Sequence, residues 1–177
     1  MSVPIRILHT ESSKHMGGQE LRILLEMERM RELGFESILA ARSGTPILTE
    51  AARRNLRAVA IPLHNRLDPV SMAILWQLMR REHIDIVNAH GSRDAWPTFL
   101  VARWLGVRTV RSRHVANPIR AHRLGRMIYG GLCDRVVTTS ESIRTGLIER
   151  GVAADKIVSV PTGVDVVRFA AVPRNGQ

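Results

Sequence analysis

The sequence predicts an α/β domain: a doubly wound, mostly parallel sheet of about seven strands with helices on both faces. Three observations carry this. Short apolar runs alternate with amphipathic helical stretches along the chain. Glycine and proline fall at the junctions between them, including the adjacent pair Gly17 and Gly18. The composition, 177 residues with 45% hydrophobic and 4% aromatic side chains, suits one domain with a sizeable core.

The elements follow in order. "IRILH" reads as the first strand and "GQELRILLEMERMRELG" as an amphipathic helix, with Leu21, Leu24, Leu25, Met27 and Leu33 inward and Gly34 as its stop. "FESILAAR" is the second strand. "TPILTEAARRN" is a helix with Thr45 as its N-cap and Pro46 in the first turn, and "LRAVAIPL" is a strand that Pro62 helps to end. Asp68 and Pro69 open the helix "DPVSMAILWQLMRREH", and the strand "IDIVNAH" follows. Next come the helix "SRDAWPTFLVARWLG", the strand "VRTVRSRH", the loop "VANPIRAH" and a helix "RLGRMIYGGLC". Strand "DRVVTTS", helix "ESIRTGLIERG", turn "VAADK" and strand "IVSVP" complete the pattern, which contains no solenoid-type repeat.

Composition bounds the function. No apolar run is long enough to cross a bilayer, and "MSVPIRIL" lacks the layout of a secretory signal, so the expectation is a cytoplasmic protein. The single cysteine, Cys133, allows no internal disulfide framework and reads as a buried small hydrophobe. The net charge is +10, and arginine supplies nearly all of the cationic side chains, with Lys14 and Lys156 the only lysines. No acidic residue occurs between Asp94 and Asp134, whereas Arg103, Arg108, Arg111, Arg113, Arg120, Arg123 and Arg126 all do, so a positive surface patch is expected there.

In an open α/β sheet, ligands bind beyond the carboxyl ends of the strands. The loops after "ILH", "NAH", "RSRH" and "TTS" therefore form the expected floor of a site. Gly17 and Gly18 would let backbone amides approach an anionic or hydroxyl-rich ligand at the positive end of the first helix; they equally suit a tight turn. "HMGGQE" lacks the spacing of a dinucleotide fingerprint, and the P-loop lysine is missing. Residue types alone leave a second class open, a non-enzymatic basic module binding nucleic acid or another polyanion. The positive segment has no interleaved aromatic residues for base stacking, which argues against nucleic acid.

Three blocks, "HMGGQELRILLEMERMRELGFES", "IDIVNAHGSRDAWPTFLVARWLGVRTVRSRHV" and "DRVVTTSESIRTGLIERGVAADKIVSVPTGVDVVRF", together resemble the N-terminal, acceptor-side domain of retaining GT-B glycosyltransferases of the group 1, family 4 type. The last block is the most specific: Pro161, Thr162, Gly163, Val164 and Asp165 match a Pro-Asn-Gly-Val-Asp run, with Thr162 in place of asparagine. The resemblance implies a Rossmann-like domain over residues 1–165 and the start of an interdomain linker over 166–177. It also implies a donor-binding C-terminal domain beyond this chain, so that the chain alone is expected to be inactive.

By the same resemblance, Gly17 and Gly18 face the donor's diphosphate and sugar, and His114 lies near the reacting sugar or the acceptor as the catalytic-site residue. His90, Arg111, Arg113, Arg120, Arg123 and Ser140 are the candidate acceptor-side residues. His90 and Ser140 also have plain readings, as a packed or solvated histidine and as a helix cap. The implied reaction moves a sugar, with retention, from a nucleotide-sugar donor to a hydroxyl of a glycan or glycolipid, such as one of the lipopolysaccharide type, with no metal or other cofactor. A phosphorylated or carboxylated acceptor would suit the arginines. Arg126, Met127, Ile128 and Tyr129 are expected to add contact with an anionic membrane face, giving a peripheral location.

Overall fold

The computed structural model describes residues 4–114, 127–161 and 163. Seven strands form one sheet in the order β3-β2-β1-β4-β5-β6-β7. They are β1 (Arg6–Glu11), β2 (Glu36–Arg42), β3 (Ala58–Ile61), β4 (Ile86–Ala89), β5 (Arg108–Arg113), β6 (Arg135–Thr138) and β7 (Ile157–Ser159). Every pairing is parallel. All of the predicted strands form, and their parallel pairing follows from the helices or turns that connect them.

The helices are α1 (Gly18–Glu32), α2 (Pro46–Arg53), α3 (Pro69–Arg81), α4 (Ala95–Leu105) and α5 (Glu141–Ile148). Two cores separate the layers. Ile23, Leu24 and Met27 of α1 and Ile47 and Ala51 of α2 pack with Leu39 and Ala41 of β2. Ile38 and Ala40, their neighbours on the same strand, join Leu75 and Met79 of α3, Phe99 and Val101 of α4, and Ile143 and Leu147 of α5. Alternation along β2 thus sends successive side chains to opposite faces, as a strand buried on both sides requires.

Helix termini follow local chemistry. Asp68 caps α3, its carboxylate accepting from the amides of Val70 and Ser71 at 3.2 and 3.4 Å. Ser140 caps α5 through Ile143 N at 3.3 Å. Gly34 and Gly106 follow α1 and α4 with φ of 83° and 72°, the left-handed region where glycine carries no Cβ penalty. Thr45 precedes α2 as predicted, but its hydroxyl donates to Arg42 O at 2.6 Å rather than accepting from the helix.

Three expectations are corrected. Leu21, Leu25 and Leu33 are 43%, 45% and 74% exposed, because the inward stripe of α1 runs through Glu20, Ile23, Leu24 and Met27, spaced three and four apart. The expected helix around Met127 to Cys133 is, over Ile128–Leu132, a single π-helical turn. That turn tucks Ile128 and Tyr129 into the larger core, 7% and 4% exposed, so neither reaches outward toward a membrane; Met127 is 49% exposed. Cys133 is free and buried, as predicted. The loop after β5, the first part of that predicted helix, Thr162, and the linker over 166–177 lie outside the described residues.

Strand β1 lies between β2 and β4, so the chain winds one way from β1 to β3 and the other way from β4 to β7. The carboxyl ends of β1 and β4 flank the point where the winding reverses, and a crevice opens there.

The Asp68 cap predicts a measurable loss. Asp68→Ala should lower unfolding free energy by about 1–2 kcal/mol in urea melts followed by circular dichroism, with an unchanged slope. A loss below about 0.5 kcal/mol would show that another group has taken over the cap.

Candidate active site at the β1–β4 crevice

Beyond these strand ends lies an open cleft of about 420 Å³. Its walls include Glu11 at the end of β1, Ser12 and Ser13 after it, Gln19 from α1, His90 to Arg93 after β4, and Arg111, Arg113 and His114 at the end of β5. Lys14 and His15 also line it.

The crevice is held in shape by Asp94, which is fully buried just before α4. Its carboxylate accepts from Thr10 Oγ1 at 2.9 Å, Ser12 Oγ at 2.7 Å and the Gly91 amide at 3.1 Å. One side chain therefore ties the end of β1 to the loop after β4. Gly91 has to be glycine: a Cβ there would stand 2.1 Å from Asp94 Oδ1 and 2.5 Å from Ser12 Oγ.

Three histidines cross this junction. His9 Nδ1 lies 3.0 Å from His90 Nε2, and His90 Nδ1 lies 2.9 Å from His114 Nε2. Successive rings are near-parallel, tilted by 16° and 27°, and meet edge to edge with centroids 5.3 and 5.2 Å apart. Burial lowers the pKa of His9 to about 4. That of His114 also falls to about 4, through burial and then the positive charges of Arg22 and Arg111. Burial, with His9 and His114 next in weight, holds His90 well below its ordinary value. All three rings are therefore neutral near pH 7.

Glu11 shifts the other way. Burial, with Asp94 second, raises its pKa to about 8, against the opposing bonds from Ser13 N at 2.7 Å and from Gln19 Nε2. The carboxyl in the cleft wall is thus largely protonated at neutral pH, and the cationic side chains Lys14, Arg93, Arg111 and Arg113 dominate the field.

Arg111 is unusual among these. It is 3% exposed, yet it makes no ion pair with any carboxylate among the described residues. Its Nη1 donates to Ala89 O at 2.6 Å, its guanidinium lies 6.0 Å from the Tyr129 ring centroid, and its Nε has no partner among the described residues. Arg113 donates to the Tyr129 hydroxyl at 2.9 Å. Burial alone would raise the pKa of that phenol; Arg111 and Arg113 outweigh it and lower it.

The structure thus gathers His90, Arg111, Arg113 and His114 in one cleft. Gly17, Gly18 and Ser140 are not among the residues lining it. Gly17 has φ of −148°, extended backbone open to any residue, and its amide donates to Glu20 Oε2 at 2.8 Å as the N-cap of α1. A Cβ on Gly18 would meet nothing within 4 Å, so open space lies on that side of the helix start. Ser140 spends its hydroxyl on α5. Arg120 and Arg123 lie outside the described residues.

The expected single positive surface patch is divided. Arg103 pairs with Asp134 at 3.6 Å, Arg108 begins β5, and Arg111 and Arg113 sit at its far end. Among the described residues, no three His, Cys, Asp or Glu side chains are grouped to hold a metal ion.

Sequence reasoning missed His9, Glu11, Ser12, Gln19, Arg93 and Asp94. A signal was present in "RILHTE": His9 and Glu11, two apart, share one face at the carboxyl end of a strand that is otherwise apolar on that side.

The opposed shifts have a definite sign in stability. An unfolded Glu ionises near 4.5, whereas folded Glu11 holds its proton to about pH 8, so its contribution is lost as pH rises through that window. Glu11→Gln should gain on the parent by roughly 2–4 kcal/mol between pH 5 and pH 9, measured by urea melts across pH. An unchanged difference across that range would mean that Glu11 ionises normally. The histidines act on the acid side, where the unfolded chain takes up protons below pH 6.5 and stability falls toward pH 4.

The comparisons agree with this architecture. HepE of Anabaena, in its complex with UDP and glucose, superposes with a TM-score of 0.76 at 15% identity over 92% of this chain and 46% of its own. A glycosyltransferase from Rickettsia africae gives a TM-score of 0.79 at 18% identity, over 97% of this chain and 47% of its own. The lipopolysaccharide outer core galactosyltransferase WaaB in its apo form gives 0.64 at 13% identity, over 90% and 46%. At these identities the likeness shows the fold, and the chain spans about half the length of each structure. No curated protein matches the sequence. The sequence pattern of Glycosyltransferase Family 4 matches residues 16–168, and the chain belongs to that family.

Proposed function

We propose that this chain forms the acceptor-side wall of a retaining glycosyl-transfer cleft, whose nucleotide-sugar donor is held mainly by a second domain. The observation that carries the reading is Arg111, a buried guanidinium at the cleft without a carboxylate partner among the described residues. A buried cation is costly unless an anion meets it. The family supplies the class of ligand, and the HepE structures hold UDP with glucose, or UDP-glucose.

In the proposed reaction the nucleoside diphosphate leaves the anomeric carbon with the electrons of the broken C–O bond. The acceptor hydroxyl oxygen forms the new bond on the same face, and its proton passes to the departing phosphate. No metal or other cofactor enters this scheme. Gly18, with open space where its Cβ would be, lets the donor approach the start of α1, where the helix dipole favours negative charge. Gly17 shapes that turn while its own amide is held by Glu20. His114, half-buried in the cleft wall, positions the sugar or the acceptor hydroxyl.

Arg111 and Arg113, with Arg120 and Arg123 on the following segment, are assigned to a phosphorylated or carboxylated group on a glycan or glycolipid acceptor. His90 backs this wall, and Ser140 serves it by fixing the start of α5. A glycolipid acceptor of the lipopolysaccharide type would place the enzyme in the cytoplasm at an anionic membrane face. No helix among the described residues is long and apolar enough to cross a membrane. The isolated chain is expected to be inactive.

The test is transfer by an enzyme containing this chain, with matched anionic and neutral acceptors. Arg111→Ala should lower kcat/KM for the anionic acceptor about 30- to 300-fold, equivalent to 2–3.4 kcal/mol for a lost charge-assisted bond, and change the neutral one less than about threefold. Equal losses on both acceptors would remove Arg111 from acceptor recognition. Polyanion binding is the competing reading of the same positive cleft: tight, salt-sensitive DNA binding with no transfer from any nucleotide sugar would favour it. Flotation with anionic vesicles tests the membrane face, and no binding at low ionic strength would exclude it.

A further inference from the structure

The three histidines are more regular than packing requires. His9 belongs to the interior of the sheet, fully buried, while His114 lines the cleft, and His90 bridges them through both of its ring nitrogens. An apolar side chain at position 9 would fill the same space without the cost of removing an imidazole from water. The polar atoms at the two ends, His9 Nε2 and His114 Nδ1, are buried and have no partner among the described residues.

Proton counting limits what such a chain of rings can do. Each neutral imidazole carries one proton, and each N···N contact needs one proton between its two nitrogens. If His90 carries its proton on Nδ1, it donates to His114 Nε2, and His114 must then carry its own on Nδ1. His90 Nε2 is then bare and must accept from His9 Nδ1. If His90 carries its proton on Nε2, every assignment reverses and all three rings are protonated on Nε2. Only these two arrangements satisfy both contacts, and they interchange only together.

We propose that His9 and His90 are positioning residues that set the tautomer of His114, the three rings ordering their protons as one unit from the sheet interior to the cleft. In one arrangement His114 carries its proton on the buried Nδ1 and in the other on Nε2, so the polarity of the ring that lines the cleft reverses between them. The one-proton count holds near pH 7 because burial keeps each ring neutral. Arg22 and Arg111 are the charged groups bearing on the cleft end, and both disfavour an additional proton on His114.

The functional consequence rests on the glycosyl-transfer reading; the proton ordering does not. Long-range 1H–15N spectra of the 177-residue chain at pH 7 distinguish protonated from bare ring nitrogens without any substrate. The fraction protonated on Nδ1 should be the same in His9, His90 and His114. Unequal fractions, or a doubly protonated ring among the three, would overturn the proposal. His9→Leu and His9→Asn, each with a native backbone amide spectrum, should change the Nδ1-to-Nε2 ratio of His114 at least about threefold, since each removes the ring that ends the chain. An unchanged ratio in both variants would overturn it, and if the leucine variant does not fold, the asparagine variant and the parent spectrum decide. In an active enzyme containing the chain, His9→Leu should lower kcat with donor KM changed less than about twofold. A parental kcat despite an altered His114 ratio would refute the link to catalysis, whereas absence of transfer by the parent enzyme would count against the glycosyl-transfer reading and leave the spectroscopic result standing.

Discussion

The carboxylate of Asp94 sets the shape on which the rest of the site depends. Two parallel strands, β1 and β4, meet where the sheet reverses its winding, and the bond from His90 N to Thr10 O is the last backbone link before the segments diverge. Asp94 ties those segments with three hydrogen bonds, two to β1-side hydroxyls and one to the Gly91 amide. The same negative charge helps keep Glu11 protonated, second only to burial. One acidic side chain thus fixes the crevice and shapes its field.

The balance of charge inside the crevice follows. With Glu11 largely protonated and the histidines neutral, its arginines and lysine face few opposing charges from the cleft's own side chains. Such a surface is destabilising in isolation and favourable once an anion arrives, because low dielectric strengthens both repulsion and attraction. Arg111 shows the tension most clearly: Ala89 O and the face of Tyr129 satisfy part of its guanidinium, and Nε stays unpaired. Tyr129 serves both cations, accepting from Arg113 while its ring lies near Arg111. The π-helical turn that buries Tyr129 is therefore part of the site as well as of the core.

Local chemistry made most of the fold legible. Alternating apolar runs marked the strands, and Asp68, Pro46 and Gly34 marked helix ends, because these effects act within a few residues. The failures have the same cause in reverse. Leu21 and Leu25 were assigned inward because a leucine-rich helix offers several candidate stripes, and only packing against β2 selects the one through Ile23 and Leu24. Ile128 and Tyr129 looked like surface contacts because the π turn is stabilised by the core it enters, which no local signal announces.

For the site, the sequence alone determined that Arg111, Arg113 and His114 end a strand, that His90 ends another, and that both strands deliver their last residues to one edge of a parallel sheet. That much follows from periodicity and topology. Tertiary structure decided which of those residues meet, which are desolvated and which carry charge. His9 became the buried end of a histidine chain only because β1 and β4 are neighbours, 81 positions apart in sequence. Gly17 became a helix cap because Glu20 reaches its amide, and Glu11 became an unusually weak acid through burial beside Asp94. Hydrogen bonds and desolvation depend on distances of a few ångströms between groups brought together by folding, and linear spacing does not encode them.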